Sequence, residues 1–202
     1  MARLRNNAPL EIIGDEDMTT YYTVIESPVD PLLLTSDGTA LTRLYFVERK
    51  HGPEIASSWI KSDDAAPFEQ TRRQLDAYFS GELTDFDLPL RADGTDFQRC
   101  VWKLLRKIPF GTTISYSELA RRSGNPNASR AVGLANGRNP ISLIVPCHRV
   151  IGVNGKLTGY GGGLPRKAAL LEFESAVLAG GPHPMEKDEG GSMKDEGKMA
   201  QR

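Results

Sequence analysis

Cys147 and His148, adjacent in the run Pro146-Cys147-His148-Arg149, are the residues of this chain best suited to covalent chemistry. A free cysteine has a pKa of about 8.5 and is only a few per cent thiolate at neutral pH, so a nucleophilic cysteine needs its proton removed. A histidine can accept that proton, directly or through a water, and a carboxylate can hold the imidazole in the tautomer required. Neighbouring residues on a strand point to opposite faces, so direct contact between Cys147 and His148 requires a turn, and otherwise a bridging water. Asn139, upstream of the pair, can hydrogen-bond the backbone of such a turn. On the dipeptide alone, a buried cysteine beside a surface histidine is the commoner outcome. Cys100 illustrates it: it lies between Arg99 and Val101 with no histidine or glycine-rich loop nearby, and is assigned no role.

The elements around the pair come next. Ile141 to Val150 reads as a buried apolar strand interrupted by Cys147-His148-Arg149. Asn154-Gly155 reads as a hairpin turn, and Gly159 to Gly163 holds four glycines around Tyr160. Leu164, Ala168 and Leu171 then mark a final helix that contains Glu172 and Glu174. Upstream, Thr95 or Asp96 caps a helix whose Phe97, Val101, Leu104 and Ile108 form one apolar stripe, ended by Pro109-Phe110-Gly111. Helices over Tyr116 to Arg122 and Asn127 to Gly137 flank Ser123-Gly124-Asn125-Pro126, a helix-turn-helix pattern with Pro126 in the first turn of the second helix. Geometry of that kind is common in helical bundles and is a weak signal alone.

Residues 20–90 form a small α/β unit. Tyr21 to Glu26, Leu32 to Leu34 and Leu41 to Val47, with a turn at Asp37-Gly38, predict an antiparallel sheet. Phe68, Leu75, Tyr78 and Phe79 fall at helical spacing before a stop at Gly81, and Leu88 to Gly94 reads as a linker. Residues 1–18 are a polar, acidic extension in which Met18 is an alternative start. Residues 180–202, with two similar polar blocks, are too poor in apolar side chains to offset ordering entropy and are expected to be disordered.

With 202 residues, 39% hydrophobic and 25% charged, the chain can bury a core. Its apolar runs fall far short of the ~20 residues that span a bilayer, and the N-terminus has no apolar secretory core. Two cysteines and three histidines make neither a disulfide framework nor a credible zinc cluster. A soluble, cytoplasmic protein is expected. The net charge of −1 hides an uneven distribution: residues 1–96 carry 9 basic and 18 acidic residues, whereas residues 97–150 carry 9 basic residues and one acid, Glu118. A basic segment of that size points to a polyanion-binding face rather than an ordinary solvated surface.

Taken together, Asn139-Pro140, Pro146-Cys147-His148-Arg149-Val150 and Gly155-Lys156-Leu157-Thr158-Gly159-Tyr160-Gly161-Gly162-Gly163 resemble the methylated-DNA–protein-cysteine methyltransferases. This is the alkylguanine-DNA alkyltransferase family, with the bacterial constitutive type nearest. The resemblance runs from Thr20 to Glu174 and is strongest from Phe97, where Ile114-Ser115-Tyr116, Ser129-Arg130-Ala131-Val132-Gly133 and Asn136 to Pro140 also fit. It implies an α/β protein. A small antiparallel-sheet-plus-helix domain (RNase H-like, residues 19–90) precedes a mostly helical, winged-helix-like domain with the helix-turn-helix (residues 91–179).

The implied activity is repair of guanine alkylated on its 6-oxygen. That group cannot be reached inside a stacked duplex, so the nucleotide is flipped out, at a cost of a few kcal/mol. In the family the helix-turn-helix enters the minor groove, whose degenerate pattern suits a protein that must find a lesion in any sequence. Arg130 matches the residue that fills the gap left by the base, with Ser129, Gly133 and Tyr116 in the same DNA-binding set. Cys147 matches the alkyl acceptor, His148 the base acting through a water, and Glu174 the carboxylate that orients it; spacing from Cys147 favours Glu174 over Glu172. Tyr116 and Asn139 complete the catalytic set. Val150, Tyr160, Gly161 and Gly162 match the substrate-binding positions, the carbonyls of Cys147 and Val150 reading the guanine amino group and the Gly161 N–H supporting the oxygen.

The thioether product has no good leaving group, so the protein acts once and is consumed, without cofactor or metal. The implied partner is double-stranded DNA carrying alkylated guanine, bound by a monomer, with cooperativity on DNA left open. Ala169 stands where many relatives carry tryptophan, a change expected to alter packing and not chemistry. Two rivals are an ordinary cysteine hydrolase and a non-catalytic lesion-binding helix-turn-helix protein; Cys147 argues against the latter, because non-reactive relatives replace it.

Overall fold

A computed structural model describes residues 19–47, 54–181 and 185. Strands β1 (Tyr21–Ile25), β2 (Leu32–Ser36) and β3 (Leu41–Phe46) form an antiparallel meander, and β4 (Ile60–Lys61) adds in parallel to β1, giving the order β3-β2-β1-β4. All five residues of β2 are buried, as a central strand covered on both faces requires. The Asp37 carboxylate closes the β2–β3 turn by accepting from the Thr39 and Ala40 N–H groups, both at 2.9 Å. Helix α1 (Phe68–Phe79) lays Phe68, Leu75, Tyr78 and Phe79 into the core.

The segment read as a linker is strapped to the sheet. Leu41 N–H donates to the Pro89 carbonyl at 2.8 Å, and Arg91 N–H to the Leu41 carbonyl at 2.9 Å. Helix α2 (Asp96–Leu105) starts at Thr95 with a reciprocal capping box to Gln98. Its buried residues are Val101, Trp102 and Leu105; Phe97 is 40% exposed and Ile108 lies beyond the helix, so the stripe expected from residue 97 is rotated. Trp102 accompanies the rotation: its Nε1–H reaches the Ala135 carbonyl at 2.9 Å and ties α2 to the helix that carries Ala135.

After β5 (Ile114–Ser115), α3 (Tyr116–Arg122) and α4 (Ser129–Gly137) make the helix-turn-helix. Pro126 sits in the turn and not in the second helix, which begins three residues later at Ser129. Residues 141–150 are not a strand: one bridge residue, Ile141, leads into turns and a short 3₁₀ turn, Cys147–Arg149, before β6 (Val150–Ile151). β6 pairs in parallel with β5, so Asn154-Gly155 closes a turn without a hairpin. Helix α5 (Leu164–Leu178) buries Lys167, Leu170, Phe173 and Glu174, not the Leu164 face read from apolar residues alone.

The N-terminal extension lies outside the described residues, as does most of the C-terminal segment. Met185 is described and only 3% exposed. No described helix is long and apolar enough to cross a membrane.

Candidate active site

The cysteine turn is held from two sides. Edge strand β3 pairs with it: Leu44 N–H donates to the Pro140 carbonyl and Ser142 N–H to the Leu44 carbonyl, both at 2.9 Å. Asn139, buried at the start of the turn, donates through Nδ2 to the Val145 carbonyl at 2.7 Å and accepts the Ile141 N–H at 3.0 Å. The same Nδ2 lies 3.1 Å from Cys147 Sγ. The strain of this compact path falls on Leu143, a non-glycine residue at φ 68°. Because Cys147 and His148 sit on a 3₁₀ turn rather than a strand, their side chains are not forced to opposite faces.

Glu174 organises the other half of the site. Its Oε1 accepts from Tyr78 Oη at 2.8 Å, Arg149 Nη2 at 2.8 Å and His148 Nε2 at 2.9 Å, and its Oε2 from Arg149 Nε and the Gly111 N–H, both at 2.9 Å. Burial alone would raise the carboxyl's pKa; the His148 hydrogen bond and charge, with Arg149, outweigh it and bring the value to about 2. An ionised carboxylate can only accept, so His148 carries its proton on Nε2 and its Nδ1 lone pair is available. Nδ1 makes no hydrogen bond to protein. Burial depresses the proton affinity of His148 below its ordinary value, against the hydrogen bond and charge of Glu174 and with Arg149 and Lys167 acting in the same direction as burial. The arrangement is a buried thiol beside a neutral imidazole anchored on a fixed anion, which suits proton removal from a nucleophile.

The sequence-derived residues fall into two groups. Cys147, His148, Glu174 and Asn139 are brought together and buried, while Glu172 is exposed. Tyr116, at the N-terminus of α3, donates to the Thr158 and Gly159 carbonyls at 3.1 and 3.2 Å, joining the recognition unit to the glycine-rich loop. Burial is the chief cause of its raised pKa, so it remains a donor at neutral pH. Val150 contributes a carbonyl that accepts from Lys167 Nζ at 2.6 Å, and the Cys147 carbonyl accepts from Asn136 Nδ2 at 3.3 Å and from the Val150 N–H. Tyr160 packs its ring 6.4 Å from His148 and 6.3 Å from Phe46. Gly161 is exposed in the loop, Ser129 and Gly133 lie half-buried on α4, and Arg130 is exposed there.

Gly162 has no room for a side chain: a Cβ there would stand 2.7 Å from the Phe46 ring and 2.8 Å from Tyr160. Gly162→Ala is therefore expected to push the loop off the pocket and slow the single-turnover reaction while costing about 1–3 kcal/mol of stability. Stopped-flow rates and thermal unfolding measure both, and an unchanged rate would show the loop position to be irrelevant.

Sequence reasoning missed Tyr78, Arg149 and Lys167 as site residues. Arg149 stood inside the motif, but nothing local marks Tyr78, which is 96 residues from Glu174. Lys167 bridges the Val150 and Thr158 carbonyls at 2.6 and 2.7 Å; burial lowers its pKa to about 8, against the favourable charge of Cys147.

A buried, base-assisted cysteine alongside a helix-turn-helix defines a DNA-directed protein with a covalent step. Residues 20–92 match the description "6-O-methylguanine DNA methyltransferase, ribonuclease-like domain", and residues 96–176 match its "DNA binding domain". The chain belongs to this family. It is 51% identical over 156 residues to the methylated-DNA–protein-cysteine methyltransferase of Methanosarcina acetivorans, covering 77% of this chain and 99% of the relative. The protein of the same name from Mycobacterium bovis is 54% identical over 156 residues, covering 77% and 93%. Among solved structures, Mycobacterium tuberculosis OGT in complex with DNA superposes with a TM-score of 0.72 at 53% identity, covering 78% of this chain and 94% of that one.

Proposed function

We infer that this chain repairs DNA by direct reversal, moving an alkyl group from the 6-oxygen of guanine to Cys147. The observation that carries the reading is the anchored imidazole: His148 Nε2 donates to Glu174 at 2.9 Å and leaves Nδ1 without a protein partner, on the same short turn as the buried Cys147. In the proposed step a water passes the thiol proton to Nδ1, Sγ attacks the alkyl carbon, and the bond from that carbon to the guanine oxygen breaks. The Asn139 amide supports the developing thiolate, and Tyr116 with the Gly161 N–H disperses the charge that builds on the departing base. Val150 and Tyr160 line the base pocket. The thioether is stable, so each molecule acts once and no cofactor takes part.

Arg130, with Ser129 and Gly133 on α4, forms the DNA face. Residues 19–90 act as the buttressing unit and 91–179 as the reacting one, flanked by the segments 1–18 and 180–202. A monomer acting on double-stranded DNA, and a cytoplasmic location where that DNA lies, accompany this reading.

Intact-protein mass after mixing equimolar protein with a duplex holding one methylated guanine tests it. A gain of one methyl group, mapped to Cys147 and saturating at one per molecule, is expected; tight binding without gain would favour lesion recognition alone. Arg130→Ala is expected to weaken duplex binding by about 1–3 kcal/mol, roughly 5- to 150-fold in Kd by fluorescence anisotropy. Cys147 should still be methylated at saturating DNA.

A further inference from the structure

Besides the backbone pairing of β3 with the cysteine turn, the N-terminal unit places a side-chain hydroxyl on Glu174. Tyr78 lies on α1, fully buried, with its ring caged by Phe79 and Phe86 from its own unit and by Phe110 and Phe173 from the other, at centroid distances of 5.2, 5.3, 5.8 and 5.3 Å. The hydroxyl donates at 2.8 Å to Glu174 Oε1, the oxygen that His148 Nε2 also uses. A tyrosine serving only as packing would not need its one polar atom on the anion that anchors the imidazole.

We propose that Tyr78 is a positioning residue of the alkyl transfer: by sharing Glu174 Oε1 with His148, it limits how strongly the carboxylate stabilises the imidazolium and so keeps His148 a neutral base. The proposal rests on the assignment of Cys147, His148 and Glu174 made above. The charged and titratable groups around the imidazole are Cys147 and Arg149 on its own turn, Glu174 and Lys167 on α5, Tyr160 on the glycine-rich loop, and Tyr78 on α1 through Glu174. Of these, Glu174 alone draws a proton onto His148, whereas Arg149 and Lys167 oppose it. Tyr78 acts on the one group that pulls the other way. Burial and the Glu174 charge keep its phenol protonated well above the ordinary range, so the donor persists at any working pH.

The sign of the effect follows. Without the phenol hydroxyl, Oε1 has one donor fewer to satisfy, more of its charge falls on His148, and the imidazole gains proton affinity. Tyr78→Phe keeps the ring and the cage, and should move the His148 titration midpoint up by about half a pH unit or more. The acid limb of the single-turnover rate should move with it. Tyr78→3-fluorotyrosine, nearly isosteric and a stronger donor, should move both down. Phe86→Leu, which loosens the same cage without touching Glu174, should move neither.

The titration is read from the imidazole by NMR on the full chain without DNA, and the rate from methyl transfer out of a methylated duplex. An unmoved midpoint in Tyr78→Phe, or an equal movement in Phe86→Leu, overturns the proposal. Absence of transfer by the wild-type protein, with the His148 midpoint moving as described, would instead refute the assigned activity and leave the Tyr78–Glu174–His148 coupling intact.

Discussion

Cys147→Ser is expected to abolish methyl transfer while leaving the Kd for duplex DNA within about threefold, because the DNA face and the thiol are separate parts of the molecule. A serine hydroxyl at this position can still accept from Asn139 Nδ2, so the turn keeps its hydrogen bond. The hydroxyl holds its proton too tightly for a neutral imidazole to supply a comparable nucleophile. The mass assay gives the result directly. Methylation of the serine variant at any other residue, including the exposed Cys100, would remove Cys147 from its role. A matching loss of DNA affinity would show that the two parts are not separable.

Glu174→Gln should have the second largest effect, on stability and rate together. Arg149, 5% exposed, would keep its charge with no anion beside it, a situation that costs about 3–5 kcal/mol. For a chain of this size that amounts to a fall of roughly 10 °C in Tm. The carboxyl titrates near 4.5 in the unfolded chain and near 2 in the folded one, so the folded state binds fewer protons between those values. Its contribution is complete above pH 4.5 and drains away as the pH falls through about 2. The wild-type protein should therefore lose stability over that window, and Glu174→Gln should lack that part of the acid limb. Denaturant melts across the window decide it; parallel curves would mean the carboxylate does not carry the linkage. Transfer by the variant should fall by about 10²-fold or more, as the imidazole loses the anion that fixes its tautomer.

Much of this site could be read from local chemistry. The Pro146 to Val150 run and the glycine-rich loop carried the family resemblance that nominated Cys147, His148 and Glu174, and of the two glutamates on the last helix Glu174 is buried and Glu172 exposed. The elements that were read well have strong local signals: α1 from its periodicity, the β2–β3 turn from Asp37-Gly38, and the start of α2 from Thr95. The readings that failed depended on neighbours. An apolar run over residues 141–150 looks the same whether it extends as a strand or coils into a buried turn, and the Asn139 amide, together with the bonds of Pro140 and Ser142 to edge strand β3, selects the turn. The buried face of α5 holds Lys167 and Glu174, polar side chains that hydrophobicity places outside but whose partners lie inside.

The residue types and their order, with the basic charge concentrated in residues 97–150, were enough to define the family, the acceptor cysteine and a DNA face. Those are properties of short segments, and short segments carry them wherever they are placed. The donors assembled on Glu174 are another matter. They come from α1, the Gly111 turn and the cysteine turn, and a carboxylate becomes a fixed, low-pKa anion only when burial removes water and these donors replace it. No one segment contains that environment. It exists only because packing the two units brings Tyr78 to a carboxylate 96 residues away.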